Sequence, residues 1–324
     1  MSVSTADWLP ALALGIVPLA TLLVDRLVGE PPVILHPVVG MGRLLDALGR
    51  RLPSGPPTRA FVTGALAWLS GALIVVVIAV TLQGWLSRTL PESGASGADT
   101  LWWAVGVILL LKPMLSLRLL LDEAIAVERA LARSLEAGRA RTARICSRDT
   151  GTLGAVALRE TAIESVAENL VDSVVAPLFW FAVAGLPGAA LYRWANTADA
   201  MWGYRDPPRE WSGKFAARVD DVLSWVPARL AAVLLSPPGQ GDALRAGAAR
   251  TPSPNGGWPM TATALRLGIR LGKPGVYVLN EHGRDVVDGD IERAVSLVRR
   301  AAWQSAVAAG VLAGAFAVIG RMFR

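Results

Sequence analysis

The sequence predicts an all-α integral membrane protein with about four to five membrane-embedded segments, one read as a re-entrant hairpin, and helices on the cytoplasmic side. Three observations carry this. Residues 8–24, 60–87, 173–192 and 301–320 hold no charged side chain, and about 20 apolar residues span a bilayer core. The 324 residues are 53% hydrophobic with a net charge of +6 and a mean hydropathy of +0.44, too apolar for a soluble domain and too charged for spans alone. No long β-branched alternation, repeat or heptad is present.

The first span lies near 8–26. Asp7 is the only charged side chain before Asp25, so a secretory signal is not expected and the span is read as retained. Segment 25–59 carries Arg26, Arg43, Arg50, Arg51 and Arg59, against Arg88 alone in 84–100. Basic loops face the cytoplasm, which puts the second span near 60–83 between an inner and an outer loop. A third, near 101–121, is interrupted by Lys112 and Pro113. The proline predicts a kink, and the lysine must snorkel, pair or serve a function.

Helical periodicity follows across 119–145. The fourth apolar stretch, 173–192, poses a difficulty, because a full crossing would put the most basic segment, 193–300, outside. Pro177 and the break Gly185-Leu186-Pro187-Gly188 predict instead a hairpin that dips in and returns; a second crossing at 222–241 is the alternative. The last span lies near 301–320. One membrane-embedded domain results, with cytoplasmic helical parts near 122–172 and 196–300.

Glu160, Glu164, Glu168 and Asp172 are spaced four apart, so on an α-helix each step drifts by only about 40° and all four share one side. Like charges in that register repel, which calls for a divalent cation or nearby arginines. A magnesium-nucleotide site is one reading, because Mg2+ takes hard oxygen ligands and keeps substrate phosphates, with Asn169 and Ser173 adding neutral oxygens. A solvated face paired with Arg148 and Arg159 is the other.

Asn196 and Asp199, one turn apart and followed by Gly203 and Arg205, suit one cation with a phosphate alongside. The same residues also suit a helix N-cap. Lys214, Arg218, Asp220 and Asp221 follow; adjacent acids diverge by about 100°, so one of the pair faces any given site. Pro252–Met260 is glycine-rich and reads as an anion cradle or a rigid turn. His36 before Pro37 favours a structural role. Cys146 is the lone cysteine, which excludes an internal disulfide and suggests a small buried filler. GIRLGK at 268–273 lacks P-loop spacing and Gly40-Met41-Gly42 lacks the third glycine of a dinucleotide fingerprint. Bases alternate with acids, which argues against nucleic acid.

The blocks SRDT (147–150), IESVAENLVDSVVAPLFW (163–180), LPGAALYRWANTADAMWGYR (186–205), AARVDD (216–221), WVPARL (225–230) and PSPNGGWPM (252–260) stand in an order that resembles one family. With the opening DRLVGEPP and HPVVGMGRL, the resemblance covers roughly 22–275. It is to the adenosylcobinamide-phosphate synthases of cobalamin biosynthesis, also called cobinamide synthases. Residues 276–300 resemble the family only loosely and receive no site.

The resemblance implies ATP-dependent amide formation at the inner membrane. Adenosylcobyric acid would join aminopropanol phosphate, or aminopropanol, to give adenosylcobinamide phosphate, with ATP and Mg2+ as cofactors and the active site on the cytoplasmic side. Glu164, Glu168 and Asp172 would serve as metal ligand or general base, and Asn196, Asp199 and Asp221 as further metal ligands. Arg148, Arg205 and Arg218 would hold phosphates and Asp149 would orient an arginine, while Asn169, Asn255 and Gly256 would contact substrate. Glu160 lies outside the matching blocks. The implied partners are the corrinoid, the amine, the lipid bilayer, and either a second copy or other cobalamin-pathway enzymes. Two rival readings are a Mg-dependent membrane alcohol-phosphotransferase, which also uses Asp and Asn at helix ends, and a non-catalytic scaffold or transporter, favoured by Lys112-Pro113.

Overall fold

The computed structural model describes residues 5–52, 56–88, 90, 96–203 and 209–322. In chain order the helices are α1 (Thr5–Val28), α2 (Pro37–Gly49), α3 (Pro57–Ser87), α4 (Gly97–Leu111), α5 (Leu117–Leu131), α6 (Leu135–Thr142), α7 (Ala155–Leu170), α8 (Ala176–Trp202), α9 (Arg209–Ser212), α10 (Lys214–Leu235), α11 (Gly241–Ala248), α12 (Gly257–Leu267) and α13 (Asp290–Met322). The fold is nearly all α, as the sequence predicts. The exception is a hairpin of two three-residue strands, β1 (Leu271–Lys273) and β2 (Tyr277–Leu279), too short to show a period of two. Among the described residues, five helical stretches are long and apolar enough to cross a membrane: Ala11–Val28, Pro57–Ser87, Gly97–Leu131, Ala155–Trp202 and Asp290–Ile319.

The chain divides into two compact units. The first holds residues 1–115, 176–223 and 306–324, the second 116–175 and 224–305. In the first unit α1 crosses α13 on small residues. A side chain added at Gly310 would overlap the Gly15 carbonyl oxygen, whereas one at Gly314 would rest 3.6 Å from that of Ala11. Small residues let helix backbones approach where lipid removes the hydrophobic drive to associate.

The kink expected at Pro113 is a full break. α4 ends at Leu111 and a single 3₁₀ turn, Lys112–Met114, follows. Arg193 satisfies the freed Met114 carbonyl, donating from Nε at 3.1 Å and also from Nη2. The Lys112 ammonium is buried between Asp25 (3.3 Å) and Glu30 (3.5 Å). Glu30 in turn meets His36 at 3.1 Å, and His36 Nδ1 accepts from Val38 N as the N-cap of α2. Lys112 and His36 are therefore paired groups at helix ends.

α8 is broken at Ala184–Gly185, where Gly185 takes φ 65°, a conformation glycine adopts without steric cost. Beyond the break a side chain at Gly188 would overlap the Trp180 carbonyl oxygen. On a straight helix eight residues lie about 12 Å apart, so the chain folds back on itself here. The freed Leu186 N–H donates to Gln83 Oε1 of α3 at 2.8 Å.

In the second unit, α7 packs against α5, α6 and α12. The expected partnership of Arg159 with the acid ladder is corrected: its guanidinium grips Glu128 of α5 through Nε (3.0 Å) and Nη2 (2.6 Å). Between α7 and α8 the backbone forms a π-turn, Val171–Val175. The wider turn breaks the four-residue register, and Asp172 sits within it.

Candidate active site

The second unit contains a cavity of about 370 Å³ walled by α7, the segment before it, the 251–253 turn and the β-hairpin. Four residues expected from the sequence meet here: Arg148, Glu164, Glu168 and Asn169. Glu164 and Glu168 are one helical turn apart, which places both carboxylates on one face. Arg148 donates to Glu164 Oε2 at 2.6 Å and to Thr161 Oγ1 at 3.0 Å. The other Glu164 oxygen, Oε1, is buried and has no partner at hydrogen-bond geometry among the described residues, with the Tyr277 hydroxyl the nearby donor to this carboxylate. Asn169 spends its amide nitrogen on Ser165, which leaves its oxygen for a ligand.

This ionisable stretch forms the N-terminal part of the long helical run Ala155–Trp202 and precedes its charge-free part, 173–192. Burial pushes the Glu168 carboxyl up to about 7, helped by the negative charges of Asp172 and Glu164. Glu164 is also raised, first by burial, with Arg148 opposing. Burial and the charge of Glu164 bring Glu160 to about 7 as well. Three acids on one helix thus sit where ionisation is resisted, as at sites tuned for proton transfer or cation binding.

Two wall residues were missed by the sequence reading, Lys273 and Tyr277. They are direct partners across the hairpin ladder, and their segment carried no family block and no strand-length signal. Burial, with Glu164 nearby, pushes the Tyr277 hydroxyl up, so it stays a neutral donor. Cys146 also lines the cavity and is no buried filler.

Gly256 lies so close to Glu168 that a side chain there would overlap Oε1. Asn255 instead accepts from Arg229 Nη1 at 2.7 Å, and Arg229 also donates to the Pro254 carbonyl at 3.1 Å. The arginine stacks between Trp225 and Trp258, fixing the 252–260 turn beside the acids. Asp149 is exposed and accepts from Gly151 N at 2.8 Å, so Arg148 is oriented by Glu164 and Thr161 and not by Asp149. Asp172, in the π-turn, is not among the cavity-lining residues, though its negative charge acts on Glu168.

Asn196, Asp199, Arg218 and Asp221 belong to the first unit. Asn196 and Asp199 lie on one face inside α8, which rules out the N-cap alternative. Asn196 Oδ1 accepts from Arg193 at 3.3 Å, and the Gly203 amide donates to the Asp199 carbonyl at 2.7 Å. Arg218 is exposed on α10 with Asp221 half-buried near it. Arg205 lies outside the described residues.

Residues 18–312 match the family model described as "CobD/Cbib protein". Curated relatives include the "Cobalamin biosynthesis protein CobD" of Stutzerimonas stutzeri, 43% identical over 272 residues, with 82% of this chain and 84% of the relative covered. That of Chromobacterium violaceum is 39% identical over 313 residues, covering 91% and 96%. The "Probable cobalamin biosynthesis protein CobD" of Pyrococcus furiosus is 38% identical over 276 residues, covering 85% and 90%. No solved structure matches. With a family match across most of its length and relatives this similar, the chain belongs to the CobD/Cbib family of cobalamin biosynthesis proteins.

Proposed function

We propose that this protein is an ATP-dependent acid-amine ligase. It joins a carboxylate of adenosylcobyric acid to aminopropanol phosphate, or to aminopropanol, and acts at the cytoplasmic face of the inner membrane. The observation that carries this reading is the pair of buried Glu164 and half-buried Glu168, in one cavity with the cations Arg148 and Lys273. A carboxylate is a poor electrophile, so phosphoryl or adenylyl transfer from ATP must first activate it. That transfer builds charge on phosphate oxygens, which fixed cations stabilise. The incoming ammonium must then lose a proton before attack, and the Glu168 carboxyl near 7 is matched to that task at neutral pH. Arg148 orients Glu164 and opposes the burial that resists its ionisation, and the hairpin and residues 251–253 wall the cavity beside the acids.

Among the described residues no group of three or more His, Cys, Asp and Glu forms a metal cage. Mg2+ binds through one or two carboxylates and takes its other ligands from substrate phosphates and water. Glu164 Oε1 and the Asn169 oxygen would hold it, leaving Glu168 to act as the base. Bound there, it would neutralise charge on the transferring phosphoryl group. Asn196, Asp199 and Asp221 are proposed as further metal ligands and Arg205 and Arg218 as phosphate contacts, on the resemblance alone.

The test is turnover in nanodiscs with ATP, Mg2+, adenosylcobyric acid and the amine. Release of ADP or AMP that requires both acid and amine, with cobinamide product, is expected. Glu168→Gln should insert normally and lose about 10²-fold or more in kcat, the usual worth of a general base. Unchanged turnover in that variant overturns the assignment.

A further inference from the structure

Three of the 32 basic residues are lysines, Lys112, Lys214 and Lys273, so this chain uses arginine almost wherever it needs a cation. Two of the three are committed. Lys112 is buried between Asp25 and Glu30, and the Lys214 ammonium sits 3.6 Å above the Trp211 ring. Lys273 differs: it lines the acid cavity, and no carboxylate among the described residues lies within ion-pair distance of its ammonium. Its nearest cationic neighbour in function, Arg148, is already spent on Glu164 and Thr161.

The hairpin holds Lys273 with little freedom of backbone. Leu271 and Leu279, partners at its base, are fully buried. Its tip is the turn Lys273-Pro274-Gly275-Val276, closed by Val276 N donating to the Lys273 carbonyl at 2.9 Å. Gly275 takes φ 72°, as a type II turn with proline before it requires. Lys273 and Tyr277 are directly paired, so on this pleat both side chains leave the same face, which here is the cavity wall. An ammonium with three donors on a flexible stem is a compact point charge suited to a phosphate that arrives and leaves.

We infer that Lys273 is a substrate-binding residue of this cavity, gripping a phosphate oxygen of a ligand whose other end is handled by Glu164 and Glu168, with the Tyr277 hydroxyl as neighbouring donor. The inference rests on the ligase reading of the site. The phosphate comes either from the nucleotide or from a phosphorylated amine, and both present the same oxygens to the ammonium.

The test uses the full chain in nanodiscs and an amine-acylating reagent, with each lysine peptide followed by mass spectrometry. Inorganic phosphate at millimolar concentration should slow acylation of Lys273 several-fold, whereas chloride at equal ionic strength should not, and the Lys214 rate should not change. Parallel arms with ATP and with a small phosphorylated amino alcohol identify the carrier by which protects at lower concentration. Phosphate binding by Lys273→Gln should weaken about tenfold, the cost of one charge-assisted hydrogen bond, with Lys273→Arg largely restoring it. Acylation of Lys273 indifferent to every phosphate compound, or wild-type phosphate affinity in Lys273→Gln, overturns the assignment. The amide assay separates the two claims. Protection without product ends the ligase reading and leaves the anion site, while product without protection ends the role of Lys273.

Discussion

Glu168 and Glu160 couple the stability of this protein to pH. Both carboxyls ionise near 7 in the fold against 4.5 for a free glutamate, so the folded chain holds these protons more tightly than the unfolded one. Their contribution is complete below about 4.5 and is lost as pH rises to about 7. Glu168→Gln should therefore melt with the wild type at pH 4.5 and above it at pH 8; equal melting at both values would refute the raised carboxyl. Arg148 acts in the opposite sense. Arg148→Gln leaves Glu164 buried without its charge partner and should cost about 3 kcal/mol in chemical unfolding, much of it recovered in the Arg148→Gln/Glu164→Gln double variant. The spacing of Glu164 and Glu168 made their shared face legible from the sequence. Pairing of Arg148 with the acid ladder was one of the two sequence readings and is found at Glu164, whereas the partner of Arg159 was not legible, because Glu128 lies 31 residues away and periodicity reports nothing about neighbours on another helix.

At the scale of elements, local interruptions place the chemistry. The π-turn at Val171–Val175 holds Asp172 beyond the cavity lining, where Glu164 and Glu168 stand, while its charge still acts on Glu168. The break after Leu111 puts Lys112 between Asp25 and Glu30. The α1–α13 crossing offers a clean contrast. Gly310→Leu meets the Gly15 backbone and should destabilise by about 1–3 kcal/mol, as overpacking does. Gly314→Ala meets only ordinary contact at 3.6 Å and should be near neutral. Thermal melts in one detergent compare them, and equal melting would deny the close crossing. Proline and glycine marked the breaks at 113 and 185 in the sequence. The π-turn carries no such marker, since it arises from how the helix packs.

For the whole molecule, five apolar helical stretches and the family match make a multi-pass membrane protein of cobalamin biosynthesis. The proposed topology makes a direct prediction. In a Cys146→Ser background, a cysteine at Gln240 should react only when the cytoplasmic face is open to reagent, and one at Arg88 from the opposite side; the reverse pattern would invert the model. The sequence by itself determined the spans, the helical class, the hairpin break and the pair Glu164 and Glu168, because charge-free runs and helical spacing are local properties of a chain. Only the tertiary structure decided that Lys273 and Tyr277 wall the cavity, that Arg229 fixes the 252–260 turn, and that Asp172 and Asp149 stand outside the lining. Those outcomes depend on contacts between distant segments, where desolvation and packing set the energies and sequence distance sets nothing.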